Sequence, residues 1–376
     1  MPRVSRISRR DFLKTTAIAG AGLVAASCGA KPPTGGGNLR GITINYLGWE
    51  GYDYAGALAP LVEEYGITIN STYGGNNEEI FSKLKAGSPG QYDVISIYHG
   101  NVPALVANDL VQPLDISRLE HWEDIMPAFK NQPWQVYDGN VYPITFTWGT
   151  SQPVYNPKYV PEGIPSWNIM LDPKYKGRIV QVDNVTSDPY AALLAIGVDI
   201  RNLITKDQLA AAMEWLKQVK PNIRVMVPSY GEMADVMARE ECWLTMVAWT
   251  AIIGWVAEKG VTLATQIPQE GAAGWADNYL IPKGANLDAA YAFINQMTSP
   301  FGQAELAKYL NQMMTNRKVV DLLPEDMAAQ YATVEEDLQR IPFPPDPPLE
   351  TDDPNIATFA DWTAAWEEYK AYTPPA

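Results

Sequence analysis

The stretch GAAGWADNYLIPKG, residues 271–284, has glycine or proline near both of its ends. The interval between these turn residues is too short for a helix, so it predicts a single strand. Alternate side chains of a strand share a face, which groups Trp275, Asp277 and Tyr279. An indole, a carboxylate and a phenol on one face suit a cationic or amphipathic small molecule. The alternative is an exposed strand edge with a half-buried Trp.

Before this stretch, the chain alternates short apolar segments with amphipathic ones, which predicts α/β architecture. Residues 42–47, 67–72 and 92–98 are the first three predicted strands. In open parallel sheets, ligands bind beyond the carboxyl ends of the strands. Five polar or aromatic residues lie at such ends and are candidate ligand contacts. They are Trp49, Glu50, Tyr52, Ser96 and Tyr98.

A second series of elements begins near residue 143. Residues 176–182 predict a strand, and Asp188 is placed to cap a helix over residues 189–197. The segment 241–249, ECWLTMVAW, predicts a buried strand that ends at Trp249. The Pro-rich residues 341–354 exclude regular structure, and residues 358–372 predict a closing amphipathic helix.

The first 27 residues have the pattern of a twin-arginine export signal, with Arg9 and Arg10 before a short apolar run. Cys28 follows in a sequence similar to a bacterial lipobox, although Ala25 replaces the usual Leu. Cys28 is therefore either the site of lipidation or a chance cysteine at the end of a signal peptide. The Pro/Gly-rich residues 31–37 would form a tether to the membrane.

Composition excludes several classes of protein. The net charge of −15 argues against nucleic-acid binding and is compatible with a cationic ligand. Only Cys242 remains after Cys28, so a lipidated chain would form no internal disulfide. His99 and His121 are the only histidines and have no ligand partner at i+4. With no nucleophile elbow, P-loop or dinucleotide motif, the sequence predicts neither an enzyme nor a bound metal or cofactor.

Four stretches resemble one known family. They are NYLGWEGY at 45–52; EEIFSKLKAG and YDVIS within 77–96; YP, WGT, YN, SW and DPKYKG within 141–177; and IPQEG, WADN and IPKG within 267–284. Their order is similar to that of the extracellular solute-binding proteins of ABC importers, and within them to the spermidine/putrescine-binding branch.

The resemblance implies a two-lobe periplasmic-binding-protein fold of type 2, with crossed connections and a ligand cleft between the lobes. Residues 40–144 with about 276–325 would form lobe 1. Residues 145–275 with about 326–376 would form lobe 2, after a signal peptide at 1–27 and a lipidated tether at 28–39. Closure of the lobes would gain affinity by enclosing the ligand.

The resemblance also implies roles for individual residues. Trp49 and Tyr52, with Glu50, would contact ligand from lobe 1, beside Ser96 and Tyr98. In lobe 2 Trp249 would stack on it, while Trp275 and Asp277 would supply an aromatic wall and a carboxylate for an amine.

Two positions depart from the family's pattern. Asn184 and Ser187 stand where polyamine binders carry acidic residues, and Asp183 and Asp188 are each one residue away. Every buried ammonium group needs a carboxylate partner. A polyamine is therefore expected if Asp183 or Asp188 faces the cleft, and a mono-cationic, zwitterionic or phosphonate-bearing amine if neither does.

The sequence thus predicts a monomeric, exported solute-binding protein that delivers a small cation to an ABC permease and its ATPase. It would be periplasmic or at the cell surface, anchored through Cys28. Two hypotheses from other classes are a secreted hydrolase that uses carboxylates in the same cleft and a surface sensor that binds ligand without transport.

Overall fold

The structure is a computed structural model that describes residues 39–374. The predicted export signal and Cys28 lie outside the described residues. The strands are β1 (Thr43–Gly48), β2 (Thr68–Tyr73), β3 (Val94–Tyr98), β4 (Val111–Gln112), β5 (Val136–Tyr137), β6 (Asn140–Val141), β7 (Ile144–Ser151), β8 (Val154–Tyr155), β9 (Ile179–Val182), β10 (Ile223–Val227), β11 (Leu244–Thr245), β12 (Ala264–Thr265), β13 (Ala273–Pro282) and β14 (Met313–Met314).

Helices alternate with these strands along much of the chain. They are α1 (Ala55–Tyr65), α2 (Asn77–Ala86), α3 (Val102–Ala107), α4 (Ser187–Ala195), α5 (Lys206–Val219), α6 (Tyr230–Ala238), α7 (Ile252–Ala257), α8 (Leu287–Thr298), α9 (Pro300–Leu310), α10 (Glu325–Ala329), α11 (Val334–Gln339) and α12 (Phe359–Ala371). Within residues 39–374, no helix has the length and apolar character needed to cross a membrane.

The first sheet has seven strands within the described range, in the order β14-β7-β13-β3-β1-β2, with β4 paired to β13. β1 runs parallel to β2 and β3, because the helices between them return the chain to the same edge. β13 is antiparallel to both β3 and β7. A strand from late in the sequence therefore lies in the middle of this sheet, beside the carboxyl end of β3.

The second sheet is formed within residues 154–265, in the order β10-β9-β11-β8-β12. α5 packs against α4 and α12 and begins at a capping box formed by Thr205 and Gln208. Leu209, Met213 and Leu216 form the buried face of α5, as their helical spacing predicts.

Each sheet has its own hydrophobic core, which divides the described chain into two lobes. Large members of the first core are Tyr46, Phe146, Tyr279 and Phe293, and those of the second are Trp167, Tyr175, Trp362 and Tyr369. In the described range, the chain passes between the sheets after β7, before β13 and along the Pro-rich residues that follow α11. Ile267, just before β13, packs against both cores.

Two observations bear on the predicted lobe boundaries. β7 begins at residue 144 and keeps pairing with β13 up to Ser151 and Ala273, so residues 145–151 lie in the first sheet. Tyr331, Val334 and Ile341 pack in the first core, although the sequence assigns them to the second lobe. Both placements depend on contacts between distant residues, which local patterns do not reveal.

Two local predictions need correction. α4 begins at Ser187 after Thr186, so Asp188 lies within its first turn and does not cap it. The predicted strand over 241–249 is reduced to Leu244–Thr245, because the chain then leaves the ladder and makes an isolated bridge between Ala248 and Gln152.

Candidate ligand-binding site

Asp277 is positioned by the central strand β13. Its backbone pairs with Tyr98 of β3 on one side and Thr147 of β7 on the other. Because Tyr98 is the last residue of β3, Asp277 lies at the sheet edge where parallel strands end. The Asp277 side chain is 7% exposed.

Tyr52 is the hydrogen-bond partner of Asp277. Its phenol donates to Oδ2 of Asp277 at 2.5 Å, and its own carbonyl accepts from the Tyr279 hydroxyl. The Tyr52 ring is held edge-on against Phe146, with 4.9 Å between centroids. Asp277 and Tyr279 thus face the same residue, as predicted from alternation along the strand.

Burial raises the pKa of Asp277 to about 6, and the Tyr52 hydrogen bond opposes this rise. Among the described residues, no lysine, arginine or histidine forms an ion pair with Asp277. A buried carboxylate without a cation is unfavourable, since charge is poorly solvated inside a protein. A positive charge placed beside Asp277 would therefore stabilise its ionised form.

Ser96 of β3 lies beside Trp49, the residue that follows β1. Ser96 is fully buried, and its hydroxyl forms hydrogen bonds with the Tyr46 phenol and the Trp49 backbone N–H. A Cβ at Gly48 would lie 2.1 Å from the Ser96 oxygen, so only glycine allows this packing. Ser96 consequently supports the loop from beneath, while the Trp49 side chain stays half-buried.

Glu50 is exposed and lies along a different surface. It borders a groove of about 550 Å³ between α1 and the edge strand β2, with Tyr54 and Tyr309. The rings of these two tyrosines are stacked at 4.1 Å.

Trp275 and Trp249 are both half-buried. The Trp275 indole lies over its strand partner Gly149, where a Cβ would come within 2.3 Å of the ring. The Trp249 ring meets Trp255 of α7 edge-on at 5.4 Å.

The two predicted carboxylates of the second lobe have other environments. Asp183 is exposed and faces α12, where it accepts from Trp366 Nε1 at 2.7 Å and Lys370 Nζ at 3.2 Å. Asp188 is fully buried, and neither of its oxygens has a hydrogen-bond partner among the described residues. Burial raises the pKa of Asp188 to about 7, with smaller opposing effects from nearby Gln181 and Val247.

The structure therefore brings Tyr52, Tyr98 and Asp277 together and places Ser96 beside Trp49. Within residues 39–374, no hydrogen bond links Asp183, Asp188 or Trp249 to that first-lobe group.

Asp346 and Tyr190, which act on Tyr98, and Glu78, which acts on Asp346, were not found from sequence. Burial raises the pKa of Tyr98 strongly, and the nearby Asp346, Tyr190 and Asp277 raise it further. Burial also raises the pKa of Asp346 to about 7, with a contribution from Glu78. For Asp346, the signal in the sequence was a single charged residue in the Pro-rich stretch IPFPPDPP, residues 341–348.

His99 joins three segments behind this group. Its Nδ1 accepts from the Ala276 N–H at 3.1 Å, and its Nε2–H donates to the Pro344 carbonyl at 2.9 Å. Burial lowers the pKa of His99 to about 4, so the ring is neutral near pH 7. This histidine has a structural role, since both ring nitrogens are occupied by backbone groups.

A family model described as bacterial extracellular solute-binding protein matches residues 56–336. The match covers well over half of the chain, and the chain therefore belongs to this family. The predicted type 2 periplasmic-binding-protein fold is confirmed. The family consists of transport proteins, which also confirms that the chain is not an enzyme.

Two relatives of this chain are periplasmic binding proteins for spermidine or putrescine. The spermidine/putrescine-binding periplasmic protein of Salmonella typhimurium is 28% identical over 291 residues, covering 76% of this chain and 81% of that protein. The putrescine-binding periplasmic protein PotF of Escherichia coli is 25% identical over 304 residues, with coverage of 76% and 81%.

A similar solved structure is that of the spermidine/putrescine ABC transporter substrate-binding protein PotD from Streptococcus pneumoniae. It has a TM-score of 0.74 and 28% identity, and the match covers 88% of this chain and 97% of that one.

Proposed function

We propose that this protein is the substrate-binding component of an ABC importer and captures a small cationic amine, with a polyamine such as putrescine or spermidine favoured. The ligand would be held between the lobes and delivered to a membrane permease with its ATPase. The observation that carries this proposal is Asp277, a buried carboxylate with a phenol donor and, within residues 39–374, no cationic partner.

The electrostatics at the end of β3 support a cation. The groups whose charge raises the pKa of Tyr98 are Asp346, Tyr190 and Asp277, all of which are neutral or negative. An ammonium group would be attracted to the carboxylates and would also interact with the faces of aromatic rings.

A zwitterionic or phosphonate-bearing amine is the second candidate. It is supported by the positions of Asp183 and Asp188, because neither supplies a free carboxylate for a second ammonium group. Its anionic end would need a basic partner, whereas the charges that raise the pKa of Asp346 and Tyr98 are all acidic or phenolic.

The test is a thermal-shift screen with putrescine, spermidine, 2-aminoethylphosphonate and 4-aminobutyrate, followed by calorimetric titration. A ligand at 100 times its Kd should stabilise the protein by about 2.7 kcal/mol. We expect putrescine or spermidine to give the largest shift. A shift with the phosphonate alone would favour the second candidate, and no shift with any amine would contradict both.

We also propose export by the twin-arginine pathway and lipid attachment at Cys28, in a monomeric protein. Replacing Arg9 and Arg10 with lysine should block export, and Cys28→Ser should move the exported protein from the membrane fraction to the soluble fraction. An exported wild-type protein found only in the soluble fraction would contradict the anchor.

A further inference from the structure

The Pro-rich residues 341–348, here called the crossing segment, connect the two lobes beside the candidate site. Near its start, the Pro342 carbonyl accepts from the N–H of Gly274 in β13 at 2.7 Å. The Pro345 carbonyl accepts from the Tyr190 hydroxyl of α4 at 2.7 Å. The segment is thus fixed to both lobes through backbone carbonyls, which leaves its one charged side chain free for another role.

That side chain is Asp346. Its carboxylate lies against Gly100, where a Cβ would fall 2.4 Å from the carboxyl carbon. Within residues 39–374, the carboxylate has neither a hydrogen-bond donor nor an ion-pair partner. It is close enough to Tyr98 and Tyr190 to raise the pKa of both phenols.

Two buried acceptors without donors belong to residues that adjoin Gly100 and Glu78 in the sequence. Asn101, which follows Gly100, has a buried Oδ1 with no hydrogen-bond partner in the described part of the chain. Asn77, which precedes Glu78, has the same property. Buried acceptors are normally satisfied, so each of these two oxygens could accept from a donor that the protein itself does not supply. An ammonium group brings three N–H donors and a positive charge.

Tyr98 lies near both Asp346 and Asp277. Both carboxylates raise the pKa of Tyr98, so this phenol has one carboxylate nearby from β13 and one from the crossing segment. The second-lobe carboxylates do not provide such a pair, because Asp183 is bonded to Trp366 and Lys370 and Asp188 is enclosed in the second lobe.

We propose that Asp346 of the crossing segment is a ligand-binding carboxylate and that the site takes a linear diamine, with one ammonium group at Asp277 and the other at Asp346. This inference rests on the proposed function. It identifies the counter-ion for the second ammonium group, which the departures at Asn184 and Ser187 leave missing.

The test compares putrescine with 1-aminobutane, which has the same carbon chain and only one ammonium group. Affinities are measured by calorimetry for the wild type, Asp346→Asn and the control Asp352→Asn. Asp352 is an exposed carboxylate six residues further along the chain. We expect Asp346→Asn to weaken putrescine binding at least about tenfold, as for loss of a charge-assisted hydrogen bond, and to change 1-aminobutane binding less than about threefold. Asp352→Asn should leave both affinities unchanged.

A second variant keeps the charge but moves it. The added methyl group of Gly100→Ala would displace the Asp346 carboxylate and should also reduce the preference for putrescine, with folding checked by the melting temperature. If the wild type binds putrescine and Asp346→Asn binds putrescine and 1-aminobutane with the same affinities as the wild type, the role of Asp346 is overturned and the proposed function stands. If the wild type binds no amine, the proposed function itself fails.

Discussion

Asp277 was predicted as a ligand contact from alternation along a strand, and Asp183 because it lies one residue from a position that is acidic in polyamine binders. The two carboxylates have opposite environments in the structure. Asp277 and Asp183 both lie in or just after a strand. Asp277 is enclosed between β3 and β7 and keeps only a phenol donor, whereas Asp183 is exposed and bound to a lysine and a tryptophan of α12. A strand end can place a carboxylate where a ligand could reach it. Whether that carboxylate is free to bind a ligand depends on the distant segments that pack around it.

Asp188 completes the comparison. It is as deeply buried as Asp277, but no hydroxyl group donates to it in the described residues. Its environment is the second core, which includes Tyr190 and Tyr369. Burial alone thus raises the pKa of a carboxyl group, and only the position at the first-sheet edge makes such a group a candidate for binding.

The largest expected effect follows replacement of Asp277. Asp277→Asn or Asp277→Ala should weaken binding of a cationic ligand by roughly 1.5 to 3 kcal/mol or more, because a charge-assisted hydrogen bond is lost. Calorimetric titration with putrescine measures the change. Asp183→Asn serves as the matched control and should retain wild-type affinity. Equal losses in both variants would remove the distinction between the two lobes.

Amine affinity should depend on pH, because the pKa of Asp277 is raised to about 6. At pH 5 only about one tenth of such a group is ionised, so affinity should be about tenfold lower than at pH 8. Putrescine should show a steeper dependence than 1-aminobutane, since the pKa of Asp346 is raised to about 7. Titrations at pH 5, 6, 7 and 8 check this, and a flat profile for both amines would contradict it.

A smaller effect is expected at the hydrogen bond that distinguishes Asp277 from Asp188. Tyr52→Phe removes the phenol donor and should weaken amine binding by about 1 kcal/mol, because the charge of Asp277 remains. The midpoint of the pH profile should also move upward, since the Tyr52 hydrogen bond lowers the pKa of Asp277. A lower affinity with an unchanged midpoint would assign Tyr52 to packing alone.

The smallest effect on binding is expected at Asp188, where the change should appear in stability. A carboxyl pKa raised to about 7 contributes stability below its unfolded value near 4, and this is lost as pH rises through about 7. Asp188→Asn should therefore raise the melting temperature more at pH 8 than at pH 5 and leave putrescine affinity unchanged. Equal shifts at both values would show that the pKa of Asp188 is not raised.

Local elements of both lobes could be predicted from the sequence. β13 lies within the interval bounded by glycine and proline at residues 271–284, and the helical face of α5 follows from the spacing of Leu209, Met213 and Leu216. These features depend on near neighbours in the chain. β7 pairs beyond the predicted lobe boundary at residue 144, and its strand partners β13 and β14 are more than a hundred residues away, which local patterns do not reveal.

The sequence by itself determined the α/β class, the family and the presence of Asp277 and Tyr279 on one face of residues 271–284, because these depend on periodicity and local motifs. Only the tertiary structure decided which carboxylates are available. Side chains of α12 bind Asp183, and Asp188 is buried in the second core. The crossing segment places Asp346 near Tyr98. The reason is physical: the charge state of a carboxylate depends on every group packed around it, and in this chain those groups come from distant segments.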